Sequence, residues 1–190
     1  MVTTREVSVD DATTVTRMVT ALLAELGAGH TQATLDEQLV ADLLAMKEHV
    51  SGFLAFSQEC PVGIIMLSEG AALFARGSYG IITELYVVPD QRSSGIAMRL
   101  IEAAAALGTK KGWGQLEVGA PNQQVWSRSP KSALYLKAGF AEIGPRLKLP
   151  LHDVASRRAQ LCPPGPSRLS PRQRRSPRRR IADSSAARFA

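Results

Sequence analysis

The chain has 190 residues, 45% of them hydrophobic, and a formal net charge of +6. That length suits one well-buried domain and is short for two. No run of about 18 apolar residues occurs, which excludes a membrane-spanning helix, and residues 1–10 hold Arg5, Glu6 and Asp10 with no apolar stretch, so no secretory signal is expected.

The charge is unevenly divided. Residues 155–190 contain ten Arg and one Asp, a net +9, whereas residues 1–154 carry 13 basic and 16 acidic side chains, a net −3. The basic character belongs to the tail, and the body offers no electrostatic reason to bind nucleic acid. Cys60 and Cys162 are the only cysteines and have no partners at metal-ligand spacing. With His30, His49 and His152 scattered, neither a metal site nor a His-based triad is expected. A reducing, cytoplasmic setting is the natural reading.

Residues 2–9 are β-branched with some alternation and predict a first strand. Asp10 is placed to cap a helix whose apolar residues Val15, Met18, Val19, Leu22, Leu23 and Leu26 form one stripe, with Gly27 as its stop. A second helix is expected from Thr34, with Glu37 completing a capping box and Leu35, Leu39, Leu43 and Met46 on its apolar face. Residues 52–57 and 62–74 read as extended runs separated by Glu59-Cys60-Pro61, a hairpin signal of unspecified turn type. Residues 81–88 form a third strand-like run that ends at Pro89. A helix follows with Ala97, Leu100, Ile101 and Ala104 on one face, closing near Gly108 or Gly112, and residues 113–118 predict another strand. Ser129-Pro130 opens a short helix that Gly139 ends. Residues 140–143 and 147–151 then predict a closing antiparallel pair around Gly144-Pro145.

The order β α α β β β α β α β β predicts a mixed sheet with helices on both faces, an α/β (α+β) class. One domain is expected over residues 1–154. Beyond it, Pro163-Pro164-Gly165-Pro166 and the Arg clusters at 174–175 and 178–180 cannot bury an apolar face, so residues 155–190 are expected to be a disordered, non-catalytic tail. The alternative is a tether to RNA or another anionic surface.

Chemistry concentrates after Pro89. Arg92-Ser93-Ser94-Gly95-Ile96-Ala97 joins a strand to a helix. A pyrophosphate needs several donors arriving together, and helix N-terminal amides supply them with a favourable dipole. Small side chains at Ser93, Ser94, Gly95 and Ala97 let the backbone approach, and Arg92 adds a cation. On these six residues alone, an ordinary strand-to-helix loop remains the competing reading.

The wider stretch Glu84-Leu85-Tyr86-Val87-Val88-Pro89-Asp90-Gln91-Arg92-Ser93-Ser94-Gly95-Ile96-Ala97 resembles the central motif of the GNAT superfamily of N-acetyltransferases. Its pattern is Gln or Arg, two residues, Gly, one residue, then Gly or Ala, and Arg92, Gly95 and Ala97 satisfy it. Downstream, Ala133-Leu134-Tyr135-Leu136-Lys137-Ala138-Gly139-Phe140 resembles the family's second hallmark, a tyrosine-bearing helix ending in Gly-Phe. The resemblance covers roughly residues 3–151. One departure is Asn122: it stands four residues after Val118, as the family's asparagine does, but thirteen before Tyr135 rather than seven, as though a six-residue insertion carrying Trp126 and Arg128 intervened.

The resemblance implies a mostly antiparallel sheet of six to seven strands and direct acetyl transfer from acetyl-CoA, without a metal, to an amine of a small molecule or protein. It implies Glu84 as the base that deprotonates the amine and Tyr135 as the group that protonates the CoA sulfur. Leu85, Tyr86 and Val87 would pair with the pantetheine arm. Arg92, Ser93, Ser94, Gly95, Ile96 and Ala97 would hold the pyrophosphate, with Asn122 as a further cofactor contact. Dimers are common among proteins of this kind, so a homodimer is the expectation. Two other classes stay open: a CoA-binding regulatory module without catalysis, and an RNA-associated protein acting through its tail.

Overall fold

A computed structural model describes residues 1–26, 35–119 and 130–144, all within one compact unit, Met1–Arg146. The expected tail and the predicted strand at 147–151 lie outside the described residues. Strand β1 (Val2–Glu6) leads through a 3-10 turn (Val9–Asp11) into helix α1 (Ala12–Leu26); α2 (Glu37–Ala45) follows. Strands β2 (Val50–Ser57), β3 (Cys60–Ala72) and β4 (Gly77–Val87) come next, then a 3-10 turn (Pro89–Gln91), α3 (Ile96–Lys111), β5 (Leu116–Val118) and α4 (Pro130–Lys137).

The described strands form one sheet in the order β1-β2-β3-β4-β5. The first three pairings are antiparallel and β5 runs parallel to β4. The mixed, mostly antiparallel class is therefore as expected, with five strands among the described residues instead of six to seven. The predicted strand at 140–143 is not formed: these residues have no regular secondary structure and no described strand beside them. Backbone groups make a strand only when a neighbour completes their hydrogen bonds.

Strand β3 is the centre of the molecule. Its run Val62, Gly63, Ile64, Ile65, Met66 and Leu67 is buried throughout, because helices cover both faces. On one face Ile64 and Met66 pack with α1 and α2 through Val15, Met18, Leu22, Val40 and Leu44. On the other, Ile65 and Leu67 pack with α3 and α4 through Ile96, Leu100, Ala104 and Tyr135. Gln58 and Glu59 both take positive φ in the β2–β3 turn, a two-residue hairpin whose twist matches the strands it joins.

Local chemistry departs from expectation in the first helices. Asp11, not Asp10, anchors the entry to α1: its carboxylate accepts from the Ser8 N–H at 2.8 Å and holds the Arg5 guanidinium at 2.7 Å. Asp36 caps α2 by accepting from the Gln38 N–H at 3.0 Å. Val40 and Leu44 form the buried side of α2, while Leu39, Leu43 and Met46 are exposed. Both stripes have helical spacing, so periodicity alone cannot choose between them.

Candidate active site

Strand β4 changes character along its length. Gly80, Ile81 and Ile82 pair with Leu116, Glu117 and Val118 of β5, and the described ladder stops there. On the β3 side, Met66 faces Glu84 and Leu67 faces Ile82, leaving Thr83 as an extra residue. Such a bulge bends the strand and increases its twist. Beyond it, residues 84–87 have β3 on one edge and no described strand on the other.

Alternation decides which groups face the open edge. The Val88 N–H donates to the Val62 carbonyl at 3.0 Å, so Tyr86 also directs its backbone toward β3, opposite Ile64. Leu85 and Val87 direct theirs outward. The outlook for Tyr86 as a backbone partner of pantetheine therefore passes to its two neighbours. Its ring instead packs in the core on the α1 side. The Val87 carbonyl already accepts from Arg92 Nε at 3.1 Å.

The loop after Pro89 is held by its own bonds. Gln91 and Arg92 N–H groups donate to the Val88 and Pro89 carbonyls at 3.0 and 3.2 Å, and Ser94 Oγ donates to the Gln91 carbonyl at 2.5 Å. Ser93 and Gly95 take φ of 64° and 82°, the left-handed region that glycine enters without strain. A Cβ at Gly95 would meet nothing within 4 Å, so the approach to α3 is open. The first intrahelical bond is Arg99 N–H to the Gly95 carbonyl at 3.2 Å. The amides of Ile96, Ala97 and Met98 precede it and have no acceptor within the helix.

These features share one cavity of about 480 Å³. Its wall includes Leu85, Tyr86 and Val87 from β4, Arg92, Ser93 and Gly95 from the loop, and Ile96 and Ala97 from α3. Of the predicted binding residues, Ser94 is not on this wall, and Asn122 lies outside the described residues, as do Trp126 and Arg128. Sequence reading missed Glu25 on α1, Gln91, Met98, and the pair Leu134 and Lys137 on α4, all of which line it. Leu134 and Lys137 share a helix face by their spacing and flank Tyr135, a usable signal. Glu25 meets Arg92 at 2.5 Å across 67 residues of sequence, and no local pattern announces such a pairing.

The two predicted catalytic groups sit beside the cavity and not on its wall. Glu84 is half-buried on β4 next to Leu85. Burial pushes its carboxyl above the ordinary range, against the smaller opposing effect of a Thr83 hydrogen bond. Tyr135 is buried among α3 and α4, and desolvation raises its hydroxyl to about 12. The end of α4 explains how it is held. Phe140 N–H donates to the Tyr135 carbonyl and Gly139 N–H to that of Leu136, both at 3.0 Å, with Gly139 at φ 90°. This is a Schellman closure, and its usual apolar clasp is the edge-to-face contact of Phe140 with Tyr135 at 5.4 Å. The Gly-Phe pair thus fixes the tyrosine's helix and ring together.

A model of the Acetyltransferase (GNAT) family matches residues 16–140. The chain belongs to this family. Solved structures agree on the fold of this GNAT domain. A ribosomal-protein-alanine N-acetyltransferase from Brucella melitensis biovar Abortus 2308 aligns at 18% identity over 80% of this chain and 99% of its own, with a TM-score of 0.63. An aminoglycoside acetyltransferase from an uncultured soil metagenomic sample aligns at 22% identity over 80% and 99%, with a TM-score of 0.65. A predicted acetyltransferase from Clostridium acetobutylicum, solved with acetyl-CoA, aligns at 17% identity over 80% and 98%, with a TM-score of 0.63. Comparison with curated proteins returned no match. Among the described residues of the GNAT domain, no helix is long and apolar enough to cross a membrane.

Proposed function

We propose that this GNAT domain transfers an acetyl group from acetyl-CoA directly to an amine. The observation that carries the reading is the meeting, in one cavity, of the open edge at Leu85 and Val87 with the unbonded amides of Ile96, Ala97 and Met98. A pyrophosphate fits those amides, the positive end of α3 and the side-chain-free approach at Gly95. A pantetheine arm carries amides that fit the outward groups of Leu85 and Val87 as an added strand would. Asn122 is retained as a cofactor contact on its spacing from Val118.

Acetyl-CoA supplies an activated thioester; the chain's own groups supply binding and proton movement. From the loop toward the bulge, β4 runs Val87, Leu85, Glu84, so a donor anchored by its phosphates at α3 extends toward Glu84. There Glu84 takes the proton of the attacking amine, directly or through water, and its raised pKa brings it nearer the working pH of a base. Tyr135 stays protonated through neutral pH, with its hydroxyl at about 12, and gives a hydrogen bond or proton to the leaving sulfur. A strand N–H serves the developing oxyanion.

Two of the structural relatives, a ribosomal-protein-alanine N-acetyltransferase and an aminoglycoside acetyltransferase, are named for amine-bearing acceptors. The acidic body, net −3 over residues 1–154, favours a cationic acceptor. A homodimer in a cytoplasmic setting and an inert tail complete the proposal.

Turnover of a panel of amines, followed by CoA release, tests the roles. Tyr135→Phe is expected to lower kcat about 100-fold, and Glu84→Gln by a similar factor. In the wild type, kcat/KM should fall on the acid side as Glu84 protonates, at a pH above the usual carboxylate range, and Glu84→Gln should abolish that limb. Unchanged rates in both variants would leave a CoA-binding module without these catalytic roles.

A further inference from the structure

Arg92 already has partners at the cavity. Its Nε donates to the Val87 carbonyl at 3.1 Å, its NH2 group pairs with Glu25 at 2.5 Å, and its Cζ lies 5.8 Å from the centre of the Tyr86 ring. Glu25, Arg92 and Tyr86 all line the cavity. The carbonyl and the ring set where the guanidinium sits, and neither competes with an anion for its charge. Glu25 does. It is a carboxylate on the wall of a site whose open amides invite negative charge, and it takes one N–H of the cation that an arriving phosphate would use.

We propose that Glu25 is an internal counter-anion for Arg92, exchanged for the donor's phosphates on binding, and so lowers the affinity for phosphate-bearing donors alone. The proposal rests on reading the cavity as the acetyl-CoA site. With the site empty, the pair neutralises Arg92 and keeps it in place. A pyrophosphate-bearing donor replaces the single carboxylate charge with two negative charges and recovers the charge-assisted bonds. A thioester without phosphates has nothing to exchange. Glu25 is thus a positioning residue that acts through Arg92. The two side chains are 36% and 46% exposed, so the pair contributes little to the fold, and removing it leaves the domain intact.

The experiment measures acetyl-CoA and S-acetylpantetheine affinities by calorimetry for wild type, Glu25→Gln, Arg92→Gln and the double variant. Glu25→Gln is expected to tighten acetyl-CoA about three- to tenfold, the scale of one exposed competing charge. S-acetylpantetheine should bind both proteins equally, and the gain should vanish in the Arg92→Gln background. Unchanged or weaker acetyl-CoA binding by Glu25→Gln, an equal gain for S-acetylpantetheine, or a gain that survives without Arg92 would each overturn the exchange. A wild type that binds no acetyl-CoA would instead overturn the reading of the cavity, and the exchange with it.

Discussion

Residues 80–82 of β4 lie beside β5, with Gly80 under Trp113, whereas residues 85–87 have β3 on one edge and line the cavity. In the first half a glycine makes room for packing: a Cβ on Gly80 would fall 2.2 Å from the Trp113 ring, and one on Gly108 2.9 Å. The Lys111 ammonium, paired with Glu69 at 2.8 Å, lies 5.5 Å from the same ring. In the second half a half-buried carboxylate and outward backbone groups replace packing. A single extra residue, Thr83, separates them. A continuous strand can therefore be structural at one end and chemical at the other, provided a bulge parts it from its neighbour.

Deleting Thr83 attacks that difference most directly. Because Thr83 is the unpaired residue, its loss keeps Glu84 opposite Met66 and preserves every later face, while removing the bend. Acetyl-CoA affinity is expected to fall at least tenfold, with Tm lowered by only a few degrees. Calorimetry and thermal melting check this; full affinity in the deletion would show that the bulge does not open the site.

Gly80→Ala should do the reverse. The added methyl collides with Trp113, so stability is expected to drop by about 1–3 kcal/mol. Affinity for acetyl-CoA should change less than twofold, measured on the folded protein. Denaturant unfolding reads the first effect, and equal losses of both would erase the distinction between the halves.

How much of this was legible depends on how local the determining interaction is. The loop with Arg92, Gly95 and Ala97 was readable because its needs are local: small residues, a positive φ and a helix start. The Gly139-Phe140 pair was readable for the same reason. The side of α2 that is buried was not, since Leu39, Leu43 and Met46 keep helical spacing as well as Val40 and Leu44, and only the sheet decides. The bulge at Thr83 left no trace because register is a property of two strands. Asp10 and Asp11 are adjacent, and the choice between them rests on Arg5 six residues earlier.

That Arg5–Asp11 pair provides the smallest prediction and a control far from β4. Hydrogen bonds from Arg5 pull the Asp11 carboxyl down to about 2, with help from Ser8 and against burial. A depressed folded pKa stabilises above the unfolded value near 4 and loses that contribution as pH falls from about 4 toward 2. Arg5 is half exposed, so screening limits the effect to about 1–2 kcal/mol. The loss should be absent in Asp11→Asn when stability is measured between pH 5 and 2. A steeper loss confined to the wild type would require other carboxylates to depend on Asp11.

The central claim is that the open half of β4 and the start of α3 receive acetyl-CoA. Backbone amide NMR during an acetyl-CoA titration tests it residue by residue. The account predicts saturable shifts at Leu85, Val87, Ile96, Ala97 and Met98, with Ile81 and Ile82 nearly still. No shifts at saturating ligand, or shifts centred on the Trp113 half of the strand, would contradict it.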